Sequence, residues 1–154
     1  MGLSKRKQAI KEQADKLAEN RDSWINRNGY FYKNDRSYMQ FLVGDGKRIL
    51  ELGCGTGQLL NALNPSYGVG VDLSINMISA AKKNYPNLEF VQGDLEDEAL
   101  ISSLQGSFDF IILSDTIGYW MIARMPLRDS TLSVLQIPDL SSPTTRGVGN
   151  LYLL

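Results

Sequence analysis

The sequence predicts an α/β protein built on a parallel sheet, and three observations predict it. From Lys47 onward, short apolar runs alternate with helical stretches, the order of successive βαβ units. A glycine-rich turn, Gly53-Cys54-Gly55-Thr56-Gly57, joins the first run to the first helix. An acid, Asp72, closes the second run, at the carboxyl edge where open parallel sheets bind ligands.

The elements follow in order. Ser4 to Asn20 reads as a solvent-facing helix with Ile10, Ala14 and Leu17 at i, i+4 and i+7, a stripe thin enough to pack only lightly. Asn28-Gly29 interrupts it. An aromatic stretch follows, Tyr30-Phe31-Tyr32 and then Tyr38, Met39, Phe41 and Leu42, ending at the turn Gly44-Asp45-Gly46. Arg48 to Leu52 reads as the first strand, Gln58 to Leu63 as a helix stopped by Asn64-Pro65-Ser66, and Tyr67 to Val71 as the second strand. Ser74 is placed to cap a helix to Asn84. Leu88 to Gln92 reads as the third strand, Glu98 to Leu104 as a short helix, and Phe108 to Leu113 as the fourth strand. The strands are continuous apolar runs, as parallel strands covered on both faces should be. After Trp120 the pattern stops: no Lys or Glu follows Glu98, and Pro126, Pro138 and Pro143 break up any period. The expected division is an N-terminal helical lead-in (1–46), an α/β domain (47–120) and a poorly specified tail (121–154).

Composition narrows the chemistry. With 154 residues, one domain is the expectation. A net charge of −1 argues against binding nucleic acid through many phosphate contacts. One cysteine, Cys54, allows no intrachain disulfide, and with no histidine there is no His-based triad, metal site or proton shuttle. No run is long and apolar enough to cross a membrane, and the charged N-terminus lacks the core of a signal peptide. A cytoplasmic location is expected, with no metal.

Glycines at 53, 55 and 57 let the chain turn sharply and let a ligand approach without meeting a Cβ, and the helix N-terminus beyond suits an anionic group. The spacing is G-x-G-x-G rather than the dinucleotide G-x-G-x-x-G, since position 58 is Gln. Asp72, 15 residues past Gly57, is placed to hold ribose hydroxyls, although it could also serve only to cap the following helix.

Together RILELGCGTGQLL, GVGVDLSINMISAAKKNYP, LEFVQGDLED and FDFIILSDTIGYW resemble the successive motifs of class I S-adenosylmethionine-dependent methyltransferases, of the methyltransferase-11 type, over about Arg48 to Trp120. The resemblance implies a Rossmann-like sheet with N-terminal helices and S-adenosyl-L-methionine as cofactor. It implies that Glu51, Gly53, Cys54, Gly55 and Gly57 would line the methionine end. Asp72 would take both ribose hydroxyls, with Leu73 beside it and Met77 against the adenine. Asp94 and Leu95 would address the adenine edge, and Ser114 and Asp115 would face the transfer centre. Aromatic residues near Tyr30 to Tyr38 would form a lid. For an oxygen acceptor that needs a base, the candidates are Asp115 and Tyr119.

The family sheet has seven strands, and only the first four are recognisable here. The expectation is therefore an incomplete methyltransferase, truncated or frame-shifted after about Trp120, whose exposed fourth strand invites self-association. The function expected is methyl transfer to an unidentified small molecule. The alternative is a cofactor-binding but inactive fragment, or an interaction module; a nicotinamide-binding domain is a third idea.

Overall fold

The chain begins with two helices that lead into the sheet. A computed structural model describes residues 3–104, 108–113 and 133–134. Helix α1, Lys5–Arg27, starts at Ser4, whose hydroxyl accepts from the Lys7 N–H at 3.3 Å. It ends at Asn28, and α2, Gly29–Val43, starts at once. The Asn28-Gly29 break is therefore a corner between two helices. Gly44 closes α2, its N–H donating to the Gln40 carbonyl.

The sheet then builds as β1 (Arg48–Leu52), α3 (Gln58–Ala62), β2 (Tyr67–Asp72), α4 (Ile75–Asn84), β3 (Glu89–Gln92), α5 (Glu98–Ser103) and β4 (Phe110–Leu113). The strand order is β3-β2-β1-β4, all parallel, with β1 flanked by Tyr67–Asp72 on one side and Phe110–Leu113 on the other. A two-residue strand, β5 (Ser133–Val134), pairs parallel with β4 opposite Phe110 and Ile111. The fourth strand is thus covered along part of its outer edge by two residues of the tail that showed no period.

Side chains alternate across the strands, and the two faces form two cores. Ile49 and Ile112 pack with Met39, Val43, Leu60 and Ile78 from α2, α3 and α4. Leu50, Leu52, Val69, Val71, Ile111 and Leu113 form the other face, against Leu100 and Ile101 of α5. Burying each of these large side chains stabilises the fold by roughly 1.5–3 kcal/mol. Asp109 ties the lower end: its carboxylate accepts from the Arg48 N–H at 2.9 Å, and its own N–H donates to the Arg48 carbonyl. The parallel register aligns the carboxyl ends of β1, β2 and β3, so that the glycine turn after β1, Asp72 closing β2 and Asp94 after β3 stand on one edge.

Helix α1 is docked more closely than its thin stripe suggested. Three of its side chains are tied to that edge. Lys7 lies 2.6 Å from both Asp94 and Glu96 after β3. Asp15 accepts from the Ser74 hydroxyl at 2.5 Å at the start of α4. Asp22 accepts from Thr56 at 2.6 Å, from Gln58 at 2.7 Å and from Asn84 at 2.9 Å. None of the described helices is long and apolar enough to cross a membrane.

Candidate functional site

Between α1 and the carboxyl edge lies a cavity of about 450 Å³, within the range that small-molecule sites occupy. Its floor is Gly53, Gly55, Asp72, Leu73, Met77, Asp94 and Leu95, and its roof comes from α1. A smaller cavity of about 60 Å³ adjoins it and is lined by Glu51, Gly53, Cys54 and Gly55 among others.

Asp72 stands at the centre of the floor. Its two carboxylate oxygens accept from the Gly55 N–H and the Ser74 N–H, each at 2.9 Å. Burial raises its pKa above the ordinary 3.8, although these two donors and the charge of Arg21 pull the other way. Each oxygen keeps a second lone pair, so further donors such as vicinal hydroxyls would favour the ionised form. The helix-capping alternative divides: Ser74 itself caps α4 by accepting from the Met77 N–H at 3.1 Å, and Asp72 holds Ser74 in turn.

In the turn, Gly55 has φ 52, borders both cavities, and a Cβ there would meet nothing within 4 Å. That open space leaves room for a ligand to approach the backbone. Gly57 has a different reason for its identity. It caps α3 at φ 79, and a Cβ would come within 2.7 Å of the Phe90 ring. Gly57, expected at the methionine end, lines neither of these two cavities and packs the turn onto β3. Glu51 is 2% exposed and pins α3, accepting from the Leu60 N–H at 3.1 Å. The Cys54 thiol is buried, and its pKa is pushed well up by that burial and by the charges of Glu51 and Asp72, which leaves no activated thiolate.

At the far end, Asp94 accepts from the Glu96 N–H at 3.0 Å and from Lys7 at 2.6 Å. Burial lowers the Lys7 pKa, but the two carboxylates outweigh it and hold the ammonium above its ordinary value. Ser114, Asp115 and Tyr119 lie outside the described residues.

The expected aromatic lid takes another form. Tyr30 and Tyr38 are 84% and 54% exposed and stand away from the cavity. Only Tyr32 of the described aromatics in that stretch reaches it, edge-on to Trp24 with ring centroids 5.7 Å apart. The roof is instead the α1 stripe itself, Lys7, Ile10, Ala14, Leu17, Arg21 and Trp24. These residues follow one another at alternating steps of three and four, the spacing of one helix face. The signal was available in the extension of Ile10, Ala14 and Leu17 to positions 7, 21 and 24, a stripe turned to a cavity rather than to a core.

A family model for the methyltransferase domain matches residues 49–134. The chain belongs to the class I S-adenosylmethionine-dependent methyltransferase family. The match runs past Trp120 into the segment read from sequence as tail. The chain is 37% identical over 89 residues to an uncharacterized protein of Methanocaldococcus jannaschii, covering 55% of this chain and 35% of that protein. It is 33% identical over 82 residues to the malonyl-[acyl-carrier protein] O-methyltransferase of Halalkalibacterium halodurans, covering 49% and 30%. The matched segments thus span about a third of those relatives. In fold it is similar to a phosphoethanolamine N-methyltransferase of Haemonchus contortus, solved with phosphoethanolamine and S-adenosylhomocysteine, at a TM-score of 0.59, 17% identity, and coverage of 79% of this chain and 28% of that one.

Proposed function

We propose that this chain binds S-adenosylmethionine in the cavity beneath α1 and transfers its methyl group to a small-molecule acceptor. One observation carries the reading: a half-buried carboxylate, Asp72, pinned by two N–H donors between the glycine turn and the Asp94–Leu95 turn. That arrangement suits a ribose at the centre, an adenine at Asp94 and an amino-acid tail at Gly53 and Gly55. Leu73 and Met77 would flank the adenine, and Asp94 would accept from its exocyclic amine. When bound, the cofactor supplies a methyl group activated by its sulfonium for in-line displacement, a reaction accelerated by alignment and by exclusion of water. The α1 roof excludes water. Asp115 and Tyr119 remain the candidates for a base toward an oxygen acceptor, and Ser114 for the transfer centre.

A second reading rests on the share of the relatives that this chain matches, about a third. On that reading the chain binds the cofactor without transferring its methyl group, because the acceptor-binding part is not within it. Calorimetric titration with S-adenosylhomocysteine and with NAD tests the cofactor, and binding of NAD alone overturns both readings. Methyl transfer from labelled S-adenosylmethionine across small-molecule acceptors then separates enzyme from cofactor-binding fragment.

A further inference from the structure

Helix α1 reaches the glycine turn through one carboxylate. Asp22 Oδ1 accepts from the Thr56 hydroxyl at 2.6 Å and from the Gln58 amide at 2.7 Å, and its Oδ2 accepts from the Asn84 amide at 2.9 Å. Asp22 lines neither of the two cavities, whereas Thr56 and Gln58 line the smaller one beside Gly53 and Gly55. The carboxylate therefore stands behind the turn that a ligand would meet.

The turn needs such a hold. Thr56 lies between Gly55 at φ 52 and Gly57 at φ 79, and glycine loses more conformational freedom than any other residue when it is fixed. Between positions 53 and 57 the one hydroxyl belongs to Thr56, and that residue is 2% exposed. A buried hydroxyl is normally paired, and its partner here comes from 34 positions away. The charge on the acceptor makes this bond stronger than one between neutral groups. Gln58 is fixed from both sides: its carbonyl accepts from the Arg36 guanidinium at 3.1 Å while its amide nitrogen donates to Asp22. The residue that departs from the dinucleotide spacing thus joins α1, α2 and α3 at the end of the turn. Anchoring the Thr56 side chain restricts the backbone around it, and the adjacent Gly55 N–H is the one that donates to Asp72 at 2.9 Å.

We propose that Asp22 is a positioning residue for the cofactor, acting through Thr56 to hold the glycine turn in its binding shape. The inference rests on the cofactor reading above. Its three bonds allow a test, because Thr56 belongs to the turn and Asn84 to the far end of α4. In calorimetric titration with S-adenosylhomocysteine, D22A and T56V should each weaken binding by about five- to tenfold. The double variant D22A/T56V should lose no more than the larger single loss, since both substitutions remove one shared interaction. T56S, which keeps the hydroxyl, and N84A, which cuts only the tie to α4, should bind within about twofold of the parent chain. Additive losses, parent-like binding by T56V, or a loss in N84A equal to that in D22A would each overturn the proposal, the last by assigning Asp22 to the docking of α1 alone. Failure of the unsubstituted chain to bind S-adenosylhomocysteine instead defeats the cofactor reading on which the proposal stands.

Discussion

Gly55 and Gly57 are two positions apart in the same turn, both with positive φ, yet the structure predicts opposite consequences for replacing each with alanine. A left-handed conformation costs an L-residue roughly 1–2 kcal/mol at either position. At Gly57 there is a second cost. The new methyl would lie 2.7 Å from Phe90 Cζ, 2.8 Å from Phe90 Cε1 and 3.3 Å from Tyr85 Cδ2. Phe90 is 3% exposed and belongs to the core, so its ring cannot swing aside, and overpacking of this kind adds about 1–3 kcal/mol. G57A should therefore lose about 2–5 kcal/mol, a large part of a typical stability of about 5–15 kcal/mol. G55A should lose only the conformational part, because nothing lies within 4 Å of the added carbon. The space it fills borders both cavities, so its loss should fall on ligand affinity. Urea unfolding followed by circular dichroism measures the first quantity, and titration with S-adenosylhomocysteine the second. The reasoning fails if the two variants are equally destabilised, or if G55A binds as tightly as the parent chain.

Other consequences can be measured alongside. D72A removes the acceptor for Gly55 and Ser74 and, on the proposed reading, for the ribose, and should weaken S-adenosylhomocysteine by at least about tenfold in calorimetry; parent-like affinity would contradict the ribose role. K7Q breaks a pair whose partners are a fifth to a third exposed, so the effect is discounted for solvent to about two- to fivefold in the ligand's dissociation rate. That difference should vanish in high salt, as read by stopped-flow tryptophan fluorescence. The Asp15 carboxyl is pulled below its ordinary 3.8: burial would raise it, but Lys11, Ser74 and the Asn76 N–H outweigh burial. Its stabilisation is therefore fully present above that value and is lost as pH falls through the lower native one. Urea unfolding should show D15N less stable than the parent chain at about pH 6, with the gap closing as the pH falls below the ordinary carboxylate value.

The strands and the turn were legible because their signals are local. RILEL and YGVGV are apolar runs bounded by glycine and proline, and β1 spans the residues that the run delimits. Ser74 advertised its cap, and the structure shows the hydroxyl accepting from Met77. The roof was less legible. Its Ile10, Ala14 and Leu17 stripe reads as a weakly packed helix, because a pattern of apolar spacing does not say whether a helix faces a core or a cavity. The ties that dock it, Lys7 to Asp94 and Asp15 to Ser74, join residues 87 and 59 positions apart, and no local pattern encodes such pairs. The aromatics of α2 were hard to place for a related reason: Tyr30 and Tyr38, expected in a lid, are 84% and 54% exposed and do not line the cavity, and aromatic content alone does not say which way a helix face is turned. Gly57 and Gly55 look alike in sequence, and only the position of Phe90 distinguishes packing from cradle.

The placement of α1 has a consequence for how the chain matures. The helix leaves the ribosome before the sheet, yet its anchors include Ser74, Asn84 and Asp94, which are made far later. It must wait in water, and it is suited to waiting: among its 23 residues only Ala18 and Ile25 end up buried. Its tie from Lys7 to Asp94 spans 87 positions, more than the 61 that separate paired residues of β1 and β4, so the Lys7 end of the roof is expected to close last. A newly made chain is then expected to pass through a stage in which the sheet is built and that end of its upper edge still stands open.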